Sequence, residues 1–535
     1  MGAVGRQHLR RLAARPGALL TAALVVLYVA ARLWRLDASC LWFDELFSVH
    51  AARHTWAGLW RFAAADLIHP PLFYALLKVW TAAGGESLYW LRLFPFVASA
   101  AALVPLLLLA RELRLGTFAT NVALLSAAAN GYLIKYAQEV RMYGLLLLLT
   151  LTSLWLFARL LKREGRARAL LLALFFVNLL LVYTHYYGWL VVACEAALLA
   201  FKGRRRLGPF MLTAAGLAVA YVPWVVACAG AARAGGGLAQ NIGWITRPGP
   251  QDLSELFALF NQPFYFRQSS ADPLFVRAGA LLGLLLVGLP LVALLFGRLR
   301  RRDAGEDVEG EAVGFLLTFS LLPVVLAFAA SYVLPQSVWG TRHLIVAAGP
   351  YALLAGLALA RLRPAWWRAA ALVLLCCWLL LAGALVLIRR EPMHVWCAWE
   401  GLAASAARDE ARDSVGGAAS STDVYAFEDL VAYHLWFALE REGRFRVVSL
   451  KGTPGVSEDP AYFLPRDFDG VAVADSGALD GERFWAAFRD TSWDESRQPL
   501  KFILERGYRA ERVYEASAQG QRAFLVLFVR TEKSK

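Results

Sequence analysis

The sequence predicts a mainly α-helical membrane protein: a polytopic transmembrane bundle of about 11 spans with helices in its outer-face loops, followed by a small C-terminal soluble α/β domain. Three observations predict it. The chain of 535 residues is 59% hydrophobic and only 18% charged. Leucine-rich apolar runs recur from residue 17 to residue 388, and about 20 helical residues cross a bilayer core of about 30 Å. Beyond residue 390 the composition turns polar and short β-like runs begin. The net charge of +14 sits in short basic clusters between apolar runs. That is the pattern of cytoplasmic loops, so no nucleic-acid partner is expected.

Taken in order, the apolar segments are 17–34, 93–110, 117–134, 143–160, 169–183, 187–201, 209–229, 276–297, 313–334, 343–360 and 369–388. Arg6, Arg10, Arg11 and Arg15 precede the first, and no small-residue cleavage site precedes Arg32 and Arg35, so it reads as an uncleaved span. Alternate connectors are basic: Arg111/Arg114, Lys162 to Arg168, Lys202 to Arg206, Arg298 to Arg302, and Arg361/Arg363/Arg368. The positive-inside rule then places the N-terminus in the cytoplasm and the C-terminal region outside, with Arg389 and Arg390 running against it. Two domains are expected: a membrane module over 1–390, with a first outer loop at 36–91, and a soluble α/β domain over 391–535. In the latter, Arg446–Leu450, Gly470–Ala474 and Ala523–Val529 read as strands, and Gly481–Arg489 and Lys501–Arg506 as helices. Acceptor recognition is the expected role of this domain. Of the six cysteines, only Cys40 and Cys397 lie where an oxidising compartment would let them pair.

The first outer loop carries the densest polar content. Residues 44–53 and 56–65 are helix-compatible, and Trp42, Phe43, Phe47, Trp56, Trp60 and Phe62 suit a membrane interface. His69-Pro70-Pro71 supplies a helix start, because proline is pre-set for the first turn. Asp66, three residues earlier, has no part in that account. Asp44 and Glu45 cannot both face one cleft, since helix neighbours point about 100° apart. One is expected to be chemical and the other structural. A carboxylate among Trp42, Phe43, Leu46 and Phe47 is partly desolvated, the setting of a general base; the bland alternative pairs it with Arg35 or Arg53.

Three further outer turns are polar and aromatic. Lys135 to Tyr143 packs Gln138, Glu139, Arg141 and Tyr143 into a short connector, and a carboxylate beside a guanidinium suits a phosphorylated substrate. Tyr183 to Tyr187 carries His185, and Gly340 to His343 carries Arg342, whose fork can grip a phosphate. His185 is a substrate-binding candidate, although a lone outer histidine such as His185 or His343 is more often a solvated interface residue than a ligand.

WFDE with DLIHPPLFY, LRLFP at 91–95, YAQEVRMYG at 136–144, YTHYYG at 183–188 and TRH opening a late span together resemble bacterial GT-C glycosyltransferases. These are the membrane enzymes related to protein O-mannosyltransferases and lipid A aminoarabinose transferases, which use polyprenyl-phosphate sugars. The resemblance covers the membrane portion to about residue 388. It implies a multi-pass enzyme of the bacterial plasma membrane that moves a sugar from a polyprenyl-phosphate donor to an acceptor hydroxyl on a lipid, glycan or protein. It implies Asp44 as the catalytic base, Glu45 as its support or an acceptor contact, Glu139 as a second acidic catalytic site with Arg141 as basic partner, and Asp66 and His69 as lining the cleft. Arg342 would hold the lipid phosphate. The departures are WFDEL for WxDEA and GTRHL where Arg-Tyr is usual. A divalent ion (Mg, Mn or Zn) is an optional cofactor in this class; Asp44, Asp66, His69 and Glu139 could build an oxygen-rich site for it, but the sequence does not show that they converge. The competing class is a transporter or flippase of lipid-linked sugars, which predicts charges within spans and internal symmetry. Glu195 is the main acidic residue inside a span, and no repeat is visible.

Overall fold

The computed structural model describes residues 3–163, 165, 167–234, 238–264, 273–299, 308–388, 398–413, 422–457, 459, 462–466, 468–490, 493–518 and 521–531. Its chain divides into two compact units, Met1–Leu36 with Ala52–Arg389, and Asp37–Ala51 with Arg390–Lys535.

The first unit is built of helices. Eight among the described residues are long and apolar enough to cross a membrane: Pro16–Leu33, Leu88–Glu112, Tyr143–Lys162, Arg204–Arg233, Ala278–Gly297, Glu309–Val333, Thr341–Ala360 and Ala365–Leu385. Each overlaps an expected segment. The other three expected segments fall on helices of 13, 17 and 15 residues, Thr117–Ala129, Arg168–Thr184 and Gly188–Lys202. At 1.5 Å per residue these are roughly 20–26 Å long, short of a full hydrocarbon core. Among the described residues, eight of the eleven expected spans thus reach full length.

The segment expected at 117–134 is broken at Asn130, and the break is fully bonded. Asn130 Oδ1 accepts the Leu133 N–H at 2.8 Å and so caps the helix Gly131–Gln138. Its amide donates to the Leu259 and Phe260 carbonyls at 3.1 and 2.9 Å, and the Gly131 N–H reaches the Gln262 carbonyl at 2.9 Å. Interrupted backbone survives in a membrane protein only when other protein groups answer it. Two polar side chains are held inside the bundle in the same manner. Arg32, fully buried, lies over the Tyr28 ring at 3.3 Å and donates to the carbonyls of Tyr28, Ala127 and Ala128. Glu195 accepts from Asn178 Nδ2 at 2.9 Å, and Ser153 Oγ lies 2.7 Å from its other oxygen and 2.6 Å from Asn178 Oδ1. Three successive helices are thereby joined.

The second unit is a six-stranded mixed sheet: β1 (Thr422–Ala426), β2 (Phe445–Lys451), β3 (Ala472–Asp475), β4 (Arg483–Asp490), β5 (Tyr508–Ala518) and β6 (Gln521–Arg530), in the order β3-β2-β1-β4-β6-β5. β1, β2, β3 and β4 pair in parallel, and β6 runs antiparallel to both β4 and β5. Alternate residues fill two cores. Val424, Trp485, Ala487, Leu525 and Leu527 pack against the helices Ala398–Asp413 and Asp429–Leu439, while Tyr425, Phe484, Phe488, Phe524 and Phe528 pack against the helix Leu500–Glu505.

Residues 481–489, expected to be helical, form β4. The run Phe484 to Phe488 is buried on both faces, and a strand covered on both sides loses the polar alternation that marks a half-exposed one. The helix expected at 501–506 and the strands expected at 446–450, 470–474 and 523–529 have counterparts. Cys40 is disulfide-bonded; its expected partner Cys397 lies outside the described residues, and the other four cysteines are free. Trp485 is fully buried and donates from Nε1 to Glu410 at 2.8 Å. Trp485→Ala is expected to cost about 3–5 kcal/mol of this unit's stability. Limited proteolysis of the full chain in denaturant reads the loss, and unchanged resistance would contradict the central position of β4.

Candidate active site

The first functional turn follows the helix Trp56–Asp66. Leu67 takes a left-handed conformation (φ 62°), so the chain reverses sharply there. The turn is held from outside: Tyr186 Oη donates to the Leu67 carbonyl at 3.1 Å, and the Asn241 amide donates to that of Asp66. Pro70 and Pro71 then lead into the helix Leu72–Gly84. His69, 4% exposed, is fixed between these two constraints, with Nδ1 3.4 Å from Asp66 Oδ2.

Arg141 comes to His69 from the turn that precedes the helix Tyr143–Lys162. It is 2% exposed, and its Nη2 lies 3.2 Å from both ring nitrogens of His69 while Nη1 reaches Tyr74 Oη at 3.4 Å. The Arg141 N–H folds back on the Glu139 carbonyl at 2.6 Å, and the Glu139 side chain is itself buried.

His185 closes the helix Arg168–Thr184. Its Nδ1 accepts the Tyr187 N–H at 3.1 Å, which assigns the proton to Nε2. His343 sits in the 3-10 turn Thr341–Leu344. That turn is held by Tyr132 Oη, which donates to the Thr341 carbonyl at 2.8 Å, and Tyr187 Oη donates to the nearby Val338 carbonyl at 2.7 Å. A Cβ on Gly340 would lie 2.5 Å from His343 Nδ1, so only glycine lets the ring fold back over the chain. The His185 and His343 rings are 4.5 Å apart, His69 is 5.6 and 6.3 Å from them, and the Tyr143 ring lies 6.2 Å from His343 at 28° between planes. One nitrogen from each of the three imidazoles falls within 4.8 Å of the others. Buried Nε2 atoms of His185 and His343 meet no hydrogen-bond partner among the described residues.

Burial holds His69 well below the usual histidine range, and the Arg141 guanidinium pushes the same way. Burial, then Arg141 and Arg342, bring His185 down to about 3. Both imidazoles are neutral at physiological pH. Three histidines are a common zinc set, yet a guanidinium rests against His69 and His185 spends its Nδ1 lone pair on a backbone N–H. These features suit an anion better than a cation.

Of the residues singled out in the sequence, Asp66, His69, Arg141, Tyr143 and His185 meet in this cluster, and half-buried Arg342 lies within its electrostatic reach. Gln138 turns elsewhere, donating to the Arg32 and Trp34 carbonyls at the end of the first span. Asp44 and Glu45 belong to the second unit, at the start of the helix Phe43–Arg53. Glu45, 1% exposed, accepts the Trp42 N–H at 3.1 Å and caps its own helix; Asp44 is half-buried.

Two expectations are corrected. His185 and His343 are not solvated, because their turns close on each other and on His69. Nor do all six loop aromatics stand free for an interface: Trp56 is exposed, whereas Phe47 and Phe62 are buried and Trp60 meets the Trp224 ring edge-on at 5.2 Å. Of the four residues that could build an oxygen-rich site, Asp66 and His69 meet here, and Asp44 lies in the second unit. Tyr74, Tyr132 and Tyr187 support the cluster and were not singled out; their signal was tyrosine recurring beside each polar turn.

An imidazole with a lowered pKa binds its proton more readily in the unfolded chain. Stability is therefore lost as pH falls from 6.5 towards 3, the window His185 spans. The melting temperature in lipid nanodiscs is expected to fall over that window more steeply for the wild type than for His185→Asn. Equal slopes would remove His185 from the account.

No protein-family model matches the sequence, and no curated protein matches it. Among solved structures, ArnT from Cupriavidus metallidurans bound to undecaprenyl phosphate is similar with a TM-score of 0.54 at 14% identity, over 95% of this chain and 97% of that one. ArnT from the same organism in the apo state gives 0.53 at 14% identity, over 96% and 98%. The likeness is one of fold and runs nearly end to end: this chain shares the fold of those structures, a helical bundle followed by a sheet domain.

Proposed function

We propose that this protein transfers a sugar from a polyprenyl-phosphate donor to an acceptor hydroxyl at the outer face of a bacterial plasma membrane, with inversion at the anomeric carbon. The observation that carries the reading is the buried Arg141 guanidinium beside two neutral histidines, in a cluster of turns between membrane helices. Such a pocket offers guanidinium charge and the His185 Nε2–H, which meets no acceptor among the described residues. A phosphate whose isoprenoid chain stays in the bilayer has the charge and the position to fill it. The shared fold with a protein crystallised with undecaprenyl phosphate supports the same ligand class.

The acceptor oxygen attacks the anomeric carbon while the Asp44 carboxylate takes its proton. The bond from that carbon to the phosphate oxygen breaks, and the electron pair leaves with the polyprenyl phosphate. Arg141, with Arg342 and the His185 Nε2–H, offsets the charge that grows on the leaving oxygen. Fixed donors serve here better than water would, since they need no reorientation as the charge develops. Glu45 holds the first turn of the Asp44 helix, and Glu139 sets the turn that delivers Arg141. No step is assigned to a metal ion. The basic connectors favour a cytoplasmic N-terminus, and the reading places the C-terminal domain on the extracytoplasmic side.

Purified protein in lipid vesicles, given radiolabelled polyprenyl-phosphate sugars, tests the reading. Asp44→Asn is expected to lose on the order of a hundredfold or more in turnover, Arg141→Gln about 100- to 1,000-fold, and EDTA to leave the rate unchanged. Loss in EDTA that zinc restores would reassign the three histidines as ligands. Labelled lipid that crosses the bilayer with no donor consumed would replace transfer by transport.

A further inference from the structure

We infer that the C-terminal domain positions the helix carrying Asp44, by seating Phe43 and His50 in an aromatic pocket on the helix Asp429–Leu439. The inference rests on the reading of Asp44 as general base, and it gives the domain a task other than acceptor recognition.

Residues 37–51 pack as part of the second unit. Phe43 meets Tyr433 edge-on at 5.3 Å and Tyr462 at 5.1 Å. Seven residues later, two turns along the same face, His50 Nδ1 lies 2.9 Å from Tyr433 Oη, and its ring packs on Trp436 at 4.8 Å and Phe468 at 5.0 Å. Both ends of the two-turn stretch thus bear on one tyrosine. A helix held at i and i+7 on one face can neither roll nor slide, and Asp44, next to Phe43, takes its direction from that hold.

The pocket is itself rigid. Tyr433 is fully buried and parallel to Trp436, 4° between planes and 5.6 Å apart, with Phe468 edge-on to both. A Cβ on Gly470 would lie 2.5 Å from Trp436 Nε1 and from Phe468 Cζ, so glycine lets that chain come close. The helix is anchored to the sheet through Asp429, which takes Ser449 Oγ–H at 2.8 Å, the Leu464 N–H at 3.3 Å and the Lys451 ammonium at 2.8 Å. Its other face, Val431, Ala432, Leu435 and Leu439, is buried against β1 and β2. Glu45 caps the seated helix, and the disulfide at Cys40 restrains the chain that enters it.

An error of about 1 Å in placing a catalytic group costs roughly a hundredfold in rate. The test compares wild type, Tyr433→Ala, Tyr433→Phe, His50→Ala and the double variant His50→Ala/Tyr433→Ala as full-length protein in nanodiscs. Hydrogen–deuterium exchange at 43–51 is read without substrate, and kcat and KM are read with the donor. Tyr433→Ala is expected to speed exchange at 43–51 while β4 and β6 stay protected, and to lower kcat about 10- to 100-fold with KM for the donor within about twofold. Adding His50→Ala to it should lower kcat by less than His50→Ala does alone, because the contact they share is already gone. Tyr433→Phe keeps the ring and loses only the hydroxyl, so it should fold and fall between. Unchanged exchange at 43–51, or faster exchange with wild-type kcat, overturns the inference. If wild type turns over no donor, the transfer reading fails, and the exchange result alone decides whether the domain holds the helix.

Discussion

Arg141 sets the terms for the ligand cluster. A guanidinium with 2% of its surface exposed has lost its water, and an ion taken from water costs several kcal/mol unless the protein answers it. The groups that surround it come from turns far apart in the chain: His69 and Tyr74 after one helix break, His185 between two short helices, Arg342 and His343 at the start of a late span. Burial keeps His69 and His185 neutral, and the guanidinium pushes the same way, so their N–H groups act as donors with direction but no charge of their own. Guanidinium charge flanked by neutral donors favours an anion, and the Asp66 carboxylate beside His69 tempers that charge.

Irregular backbone is what brings these groups together, and each irregularity has its own bonding. Leu67 reverses the chain and its carbonyl is taken by Tyr186; Asn130 breaks a helix and bonds both sides of the gap; Gly340 makes room for His343. In a hydrocarbon surrounding, a free carbonyl or N–H costs several kcal/mol, so such turns exist only where side chains close them. Tyrosine suits this work: its ring buries with the apolar helices and its hydroxyl carries a donor to the far end.

The membrane class was legible because it rests on composition summed over hundreds of residues, and the helices of the first loop because their caps and prolines are local. The ligand cluster was legible only in pieces. His185 and His343 look like ordinary interface residues one at a time, since nothing in the chain between 185 and 343 says that their turns will meet. β4 was misread because a strand buried on both faces carries no period-2 pattern, and Phe484 to Phe488 suits a helix equally well. The seat for Phe43 was hidden for a different reason: it joins residues nearly four hundred apart, and only the folded sheet brings Tyr433 to them.

The bonded trio of Ser153, Asn178 and Glu195 bears on how the chain enters the membrane. Glu195 is the eighth residue of a fifteen-residue helix, and an acidic group at the centre of a span costs about 2.5–3.5 kcal/mol on insertion scales. Its partner Asn178 sits on the preceding helix, joined to it by only the three residues 185–187. A ribosome-fed translocon that releases these two helices together, as a hairpin, delivers the carboxyl already bonded to the amide. Released one at a time, the second would meet lipid with its acid unanswered. The shortness of that connector is thus a property of biogenesis as well as of the finished bundle.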